Sequence, residues 1–321
     1  MFVSIALATF NGSKYIKNQL DSFAAQSTLP SELIICDDGS TDDTVEIISK
    51  FKKTAPFIIK IIQNAENLGH VQNFAKAMAL CSGDIVFLSD QDDMWFPNKI
   101  ETVIQVFQQN PNCWVVIHDG ELTDGQLVPS GQTKMSQIRR GYGTAERVST
   151  GALSAIRRDL LKFALPIPSG IIAHDTWLHQ LASLLTGRRV ILEQSLQYIR
   201  RHDENTSSWI VNNDRKLSRL DVIRAQAKTA PASDYTDRLA LNTGLTNAVN
   251  QMYSVQNEPS DLDAALRAKT RLASERKAIY SRQALLEHSS FKRKLYANYM
   301  LMSGQYVHFN GIRSFIRDIT R

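Results

Sequence analysis

The sequence predicts an α/β protein: a mostly parallel sheet flanked by helices, with a mainly helical region after it. Three observations carry that reading. Short apolar runs alternate with amphipathic helical patterns through the first third of the chain, the connections between them are brief, and beyond residue 212 the composition turns rich in Ala, Leu, Arg, Lys and Gln. Strands separated by helices of about 10–15 residues are joined by right-handed crossovers and pair in parallel.

In chain order, Phe2 to Ala8 reads as a buried strand, and Ser13 to Ala25 as a helix with Tyr15, Ile16, Leu20 and Phe23 on one face. Leu33 to Cys36 is a short strand, and Ser40-Thr41-Asp42-Asp43 has the form of a capping box that starts a helix at Ser40. Phe57 to Ile62 is strand-like, residues 70–81 are helical, and Ile85 to Leu88 is a strand. Pro97 to Gln109 is helical with proline in its first turn, and Trp114 to Ile117 is a strand. Further on, a strand is expected over Ser149–Ile156, a helix over Thr176–Leu185, and two strands at Val190–Leu192 and Leu196–Arg200. Helical breaks are expected near Pro231, Pro259, Gly304 and Gly311.

A length of 321 residues suits two domains, here 1–212 and 213–321. No apolar run reaches the roughly 18 residues of a membrane-spanning helix, and no basic-then-apolar leader opens the chain, so an intracellular protein is expected. Cys36, Cys81 and Cys113 are odd in number and sit in apolar settings, as buried thiols do. The net charge of +5 is unevenly placed: residues 266–321 carry +9 and the preceding 265 carry −4. Basicity therefore concerns the tail's partner and not the chemistry.

Polar residues cluster where the first four strands end, at Thr9-Phe10-Asn11-Gly12, Asp37-Asp38-Gly39-Ser40, Asn64 to Gly69, and Asp90-Gln91-Asp92-Asp93. Ligands of open parallel sheets bind outside the carboxyl ends of the strands, so four such tips build one site. Three carboxylates within four residues repel one another unless a cation compensates, and hard oxygen donors suit Mg²⁺ or Mn²⁺. Asp37 and Asp38 suit accepting hydrogen bonds from a base or ribose, with an Asp-rich turn as the plainer reading. Neither a G-x-G-x-x-G after the first strand nor a P-loop is present, which disfavours hydride transfer and P-loop NTPase chemistry.

Together these residues resemble the family 2 glycosyltransferases, whose catalytic domain has the Rossmann-like GT-A fold. The resemblance rests on Ala8-Thr9-Phe10-Asn11-Gly12, Ile35-Cys36-Asp37-Asp38-Gly39-Ser40, Asn67-Leu68-Gly69 with Asn73, and Ser89-Asp90-Gln91-Asp92-Asp93-Met94-Trp95. The last of these is most similar to the rhamnosyltransferase-like branch that builds bacterial surface polysaccharides. His174-Asp175-Thr176-Trp177 and Arg200-Arg201-His202 with Asn205 resemble the family's later motifs, so about residues 2–208 are covered. The resemblance implies inverting transfer of a sugar from a nucleoside diphosphate, dTDP-rhamnose or a UDP-hexose, to an acceptor hydroxyl. It implies that Thr9, Asn11, Asp37, Asp38, Asn67, Gly69, Asn73, Asp90 and Asp92 bind the nucleotide sugar and that Arg200 and Arg201 clamp its diphosphate. Asp92, Asp93 and His202 would hold Mn²⁺ or Mg²⁺, and Asp175 would be the general base. His174 stands where the family often has Glu, and a charged imidazole there is expected to lower the Asp175 pKa. Asp175 also reads as a plain helix N-cap.

In the tail, Phe291, Leu295, Tyr299 and Met302 recur at helical spacing beside Lys292-Arg293-Lys294, as do Ile312, Phe315, Ile316 and Ile319 beside Arg313 and Arg317. Such stripes suit the inner, anionic face of a cell membrane, where a lipid-linked glycan acceptor would be met, or contacts in a homo-oligomer. Nucleic acid is not expected, since no stacking aromatics interleave the charge on a recognisable module. A cytoplasmic enzyme, peripheral at the membrane, is the expectation. A non-catalytic scaffold of the same fold and a Mg²⁺-dependent phosphohydrolase are its rivals, the latter disfavoured because Thr9-Phe10-Asn11 stands where its nucleophilic Asp would be.

Overall fold

The computed structural model describes residues 1–140, 148–185, 187–203, 235–255 and 259–320. By compactness the chain divides into one unit of residues 1–167 with 173–229 and a second of 168–172 with 230–321. The boundary expected at 212/213, the break near Pro231 and the motif residue Asn205 lie outside the described residues.

The first unit is a sheet with helices packed on it. Its elements run β1 (Val3–Thr9), α1 (Ile16–Ala24), β2 (Glu32–Asp37), α2 (Thr44–Lys52), β3 (Ile58–Gln63), α3 (Gly69–Leu80) and β4 (Ile85–Ser89). They continue with β5 (Met94–Trp95), α4 (Lys99–Gln109), β6 (Val115–Thr123), β7 (Pro129–Thr133), α5 (Lys134–Arg140), a 3₁₀ turn at Gly151–Leu153, β8 (Ser154–Arg157), α6 (Arg158–Ala164), α7 (His174–Ser183) and β9 (Arg189–Arg200). The strand order is β3-β2-β1-β4-β8-β6-β9-β5, with β7 on β6. The first four strands are parallel, as is β6 with β9, whereas β8, β5 and β7 join antiparallel. Most paired positions are therefore parallel, and the α/β class is as the sequence predicts.

Alternation along each strand sends successive side chains to opposite faces. Ile5 and Leu7, Leu33 and Ile35, and Phe87 meet Ile16, Leu20 and Phe23 of α1, Ile48 of α2, and Ile100, Val103 and Phe107 of α4 in one core. Each such side chain contributes about 1.5–3 kcal/mol of transfer free energy. Helix α3 packs over β1 and β2 and buries Phe74, Ala77 and Met78. Because β1 to β4 run the same way, all four carboxyl ends come to one edge.

Three expectations are corrected here. The capping box fails: α2 begins at Thr44, because the Ser40 hydroxyl donates to Asp37 Oδ2 (2.6 Å) and Asp42 instead accepts from the Thr44 N–H (3.1 Å). The two strands expected over 190–200 are one, continuous through the exposed pair Glu193-Gln194. Only the second half of Ser149–Ile156 is strand, the first being the 3₁₀ turn.

The second unit holds α8 (Thr236–Val255), α9 (Pro259–Glu287), α10 (Ser290–Met302), a 3₁₀ turn at Gln305–His308 and α11 (Ile312–Thr320). Leu285, Ala297, Met300 and Tyr306 form its small core, with Phe309, Phe315 and Ile319 packed against it. A buried ion pair pins α11: Arg282 donates to both Asp318 oxygens at 2.9 Å, and the Tyr306 hydroxyl donates to the same carboxylate at 2.9 Å. Buried charge is tolerated there because both Asp318 oxygens and two of the Arg282 nitrogens are hydrogen-bonded. The three cysteines are free and buried. Among the described residues no helix is long and apolar enough to cross a membrane.

Candidate active site

At the parallel edge, the strand tips bind one another before anything else. Thr9 Oγ1 donates to Asp37 Oδ2 (2.8 Å), and the Ser40 N–H reaches Asp37 Oδ1 (2.9 Å). Asp38 accepts from the N–H groups of Leu68 (2.8 Å) and Gly69 (2.9 Å) and from Asn64 Nδ2 (2.8 Å). Asn67 Nδ2 donates to the Asp38 carbonyl (3.1 Å), and Asn73 Nδ2 to that of Cys36 (2.8 Å). Gly39 and Gly69 sit at φ +85° and +77°, a region that costs a residue with Cβ, and these turns carry the loops back to the carboxylates.

Thr9, Asp37, Asp38 and Asn73 are only 2, 0, 3 and 2% exposed, so in this structure they fix the loops from behind instead of lining a pocket. Asn11, Asn67 and Gly69 are the members of that set left at the surface. Gln91 ties the fourth tip to the first, accepting from the Phe10 N–H (3.0 Å) and donating to the Phe10 carbonyl (2.9 Å). It lies so close over Gly12 that a Cβ there would collide with it.

Asp90, Asp92 and Asp93 each place a carboxylate oxygen within 4.8 Å of the other two. Asp90 is exposed, Asp92 half-buried and Asp93 buried. Strand β5 pairs with β9 at Met94–Tyr198 and Trp95–Gln197, which sets Asp93 against β9. There Gln197 Nε2 donates to Asp93 Oδ2 (2.7 Å) and the Arg200 N–H to Oδ1 (3.1 Å). Burial first, then Asp92 and Asp90, hold the Asp93 pKa well above the carboxylate range. Surrounding protein mass, then Asp92 and Asp175, push Asp90 up to about 7 although its side chain is open to solvent. Carboxyls that resist ionising together are what a divalent cation relieves, and the donor set fits Mg²⁺ or Mn²⁺.

Asp90 lies in the cluster with Asp92 and Asp93, as their spacing leads one to expect. His202 meets the cluster through Asp92, with Nε2 2.9 Å from Asp92 Oδ2 and its ring 4.5 Å from that of Tyr15. Arg200 does not face outward: 4% exposed, it donates to the carbonyls of Asp92 and Gly125 (both 2.7 Å) and lies over the Tyr15 ring at 4.6 Å. Arg201 is half-buried, with its N–H on the Thr123 carbonyl (3.1 Å).

Asp175 lies in the first turn of α7, which begins at His174 with Ala173 as its N-cap, so Asp175 is not the cap. Its Oδ1 accepts from the Thr176 N–H at 2.5 Å. Burial raises its pKa, against the Thr176 and Gly151 N–H groups and Lys134, which lower it. Asp175 in turn raises Asp90, so the two carboxylates share one electrostatic environment. The expected effect of His174 on Asp175 is absent. Its ring stacks on Phe74 at 4.1 Å, neither nitrogen has a hydrogen-bond partner, and burial lowers its pKa to about 3, so it is neutral.

Sequence reasoning missed three residues. Lys99 is wholly buried beneath the cluster, its Nζ on Gln197 Oε1 (2.5 Å) and the Ala152 carbonyl (3.1 Å) and 3.7 Å over the Trp95 ring. A signal existed, since position 99 lies four residues before Val103 on the buried stripe of α4. Gln197 links Lys99 to Asp93. Lys134, 6% exposed at the start of α5, has its pKa lowered to about 8 by burial and then by Arg201, with Asp175, Asp119 and Asp93 acting oppositely.

A parallel-edged sheet whose tips converge on an aspartate cluster, with a further carboxylate in its field, is the arrangement that the resemblance to the family 2 glycosyltransferases implies. Residues 4–163 match the model of glycosyl transferase family 2, and the chain belongs to that family. It is 28% identical over 262 residues to the dTDP-rhamnosyl transferase RfbG of Shigella flexneri, covering 77% of this chain and 89% of that one. Among solved structures it is similar to S. aureus TarS 1–349 in complex with UDP (TM-score 0.54, 20% identity, covering 95% of this chain and 91% of that one). Another is the mannosyltransferase PcManGT from Pyrobaculum calidifontis in complex with GDP-Man and Mn²⁺ (TM-score 0.51, 17% identity, 95% and 85% covered). At such identities the structures establish the fold. Matches to several other curated relatives span 59–66% of those proteins' length.

Proposed function

We propose that this enzyme moves a sugar from a nucleoside diphosphate to an acceptor hydroxyl with inversion, in the assembly of a bacterial surface polysaccharide such as O-antigen or capsule. The observation that carries the reading is the aspartate cluster at the parallel strand tips, electrostatically coupled to Asp175. The rim of Asn11, Asn67 and Gly69 receives the nucleotide, on loops held by Thr9, Asp37, Asp38 and Asn73. Asp90 and Asp92, backed by Asp93 and His202, hold Mn²⁺ or Mg²⁺, which when bound neutralises charge on the departing diphosphate. Of the two arginines ascribed to the diphosphate clamp, the half-buried Arg201 supplies positive charge together with Lys134. Asp175 takes the acceptor's proton. The RfbG relative favours dTDP-rhamnose as donor, and the UDP carried by TarS keeps a UDP-hexose in the screen.

Calorimetric titration with UDP and dTDP, with and without Mn²⁺, tests this together with a screen for slow nucleotide-sugar hydrolysis. Nucleotide binding is expected to require the metal. Binding that ignores Mn²⁺, or no binding at all, overturns the reading.

The acceptor side of the proposal is a lipid-linked glycan reached at an anionic membrane face. On α10, Phe291, Leu295, Tyr299 and Met302 are 74, 58, 53 and 89% exposed, beside Lys292, Arg293 and Lys294. A cavity of about 570 Å³ in the same unit is lined by Lys269, Arg276 and Lys277 with Tyr280 and Tyr296, and the Tyr296 ring is 6.0 Å from Tyr299. Exposed apolar surface bordered by cations suits phosphate headgroups above acyl chains. The stripe of α11 is divided, with Ile312 and Ile316 exposed but Phe315 and Ile319 packed inward. The protein is expected to sediment with vesicles containing phosphatidylglycerol and not with pure phosphatidylcholine, and Leu295→Asp should abolish this. A dimer dissociated by Leu295→Asp, without vesicle binding, would identify a second copy as the partner instead.

A further inference from the structure

We propose that Lys99 is a positioning residue, a buried strut that fixes the aspartate cluster through Gln197 and ties it to the Gly151–Leu153 turn beside Asp175. The inference rests on the metal-and-base reading above and goes beyond it by naming what holds the two halves of the site in register.

The physical problem is the presence of lysine at that position. An amino group removed from water costs several kcal/mol unless its new partners compensate. Lys99 is 0% exposed, yet its hydrogen-bond acceptors are an amide and a carbonyl, Gln197 Oε1 at 2.5 Å and the Ala152 oxygen at 3.1 Å, with the Trp95 ring at 3.7 Å. Methionine would fill similar volume without burying an amino group. Packing alone does not account for lysine here.

The geometry shows what the Nζ accomplishes. A glutamine amide has a donor end and an acceptor end, and by occupying Oε1 Lys99 turns Nε2 towards Asp93. That Nε2 lies 2.7 Å from Asp93 Oδ2, while the Arg200 N–H takes Oδ1 at 3.1 Å, so both oxygens of Asp93 are oriented. Without the lysine Oε1 loses its anchor, and the amide is held from the Asp93 side alone. The same Nζ holds the carbonyl of Ala152, whose neighbour Gly151 directs its N–H at Asp175. One side chain thus joins a chain of contacts from Asp93 through Gln197 and Ala152 to the Asp175 region.

The test uses the full chain, with Mn²⁺ titrated calorimetrically in the presence of UDP, and compares Lys99→Met, Gln197→Met and the double variant. Loss of an outer partner of a metal ligand typically weakens binding by about 10–100-fold, and each single variant is expected to show that loss. Melting temperature is expected to fall in each single variant, which leaves a buried partner unpaired, so affinities are read on folded protein well below melting. The double variant should be no weaker in Mn²⁺ affinity than the worse single, because both act through one contact chain. Mn²⁺ affinity within threefold of the parent in both singles would refute the strut, as would additive losses. If Lys99→Met does not fold, Lys99→Leu is read in its place against Gln197→Met. Failure of the parent chain to bind Mn²⁺ is a separate result, which removes the metal reading and the strut with it.

Discussion

Asp92→Asn is expected to erase the strengthening of UDP binding by Mn²⁺ and to lower nucleotide-sugar hydrolysis by about 10²–10³-fold, the usual loss when one stabiliser of a developing charge is removed. The fold should survive. The Asp92 carbonyl, not its carboxylate, receives Arg200, and that bond at 2.7 Å is untouched by the substitution. Asn is also close in shape, so the contact with His202 Nε2 can be kept in part. Removing one of three mutually repelling carboxylates should raise the melting temperature in metal-free buffer, the exchange of stability for function common at active sites. Asp93→Ala is a poorer probe because Asp93 also anchors Gln197 and the Arg200 backbone, and its loss would confound metal binding with repacking. Full Mn²⁺ enhancement in Asp92→Asn, measured on folded protein, would place the cation elsewhere.

Periodicity and topology made most of the first unit legible. Buried parallel strands read as apolar runs, and β1 to β4 each start within one residue of their expected positions. What failed depended on partners distant in sequence. Ser40 has the chemistry of a cap, but Asp37 and Asn11 claim it, so α2 starts at Thr44. β5 is two residues long and β7 reads Pro-Ser-Gly-Gln-Thr, and neither presents a hydrophobic period. Glu193-Gln194 looks like a turn in isolation, yet the β6 ladder carries β9 through it with a register shift.

The site divides along the same line. That the polar residues of four strand tips form one locus follows from strand direction alone, and the contacts of Thr9 with Asp37, Gly69 with Asp38 and Gln91 with Phe10 do join them. Which acids remain open to a ligand did not follow. Asp38 is occupied by the backbone of Leu68 and Gly69, some thirty residues on, and Arg200 is turned inward by Gly125 and Tyr15. Local spacing carries no information about such partners. His174 was misjudged for a related reason: its charge depends on burial against Phe74, a residue one hundred positions earlier, and not on its neighbour Asp175.

Asp175→Asn should lower sugar transfer by about 10²–10⁴-fold, the range for removing a general base, while leaving UDP affinity in the presence of Mn²⁺ within about twofold of the parent. The amide keeps the shape of the carboxylate but cannot accept the acceptor's proton. The pH dependence follows from the direction of the shift. Burial raises the Asp175 pKa, and only the ionised form is a base, so transfer in the parent should fall as pH drops through a value higher than that of an ordinary aspartate. The residual activity of Asp175→Asn should lack that acid limb. Stability moves the other way. A carboxyl whose folded pKa is raised binds its proton more tightly in the folded than in the unfolded state, so its ionisation disfavours the fold as pH rises from the unfolded to the folded value. Asp175→Asn should therefore melt higher than the parent at pH 8, and the gain should vanish at acid pH below both values, where the carboxyl is protonated in either state. Transfer within tenfold of the parent, or an acid limb that persists in the variant, would assign the proton to another group, with the Asp90 carboxyl, itself raised to about 7, the next to substitute.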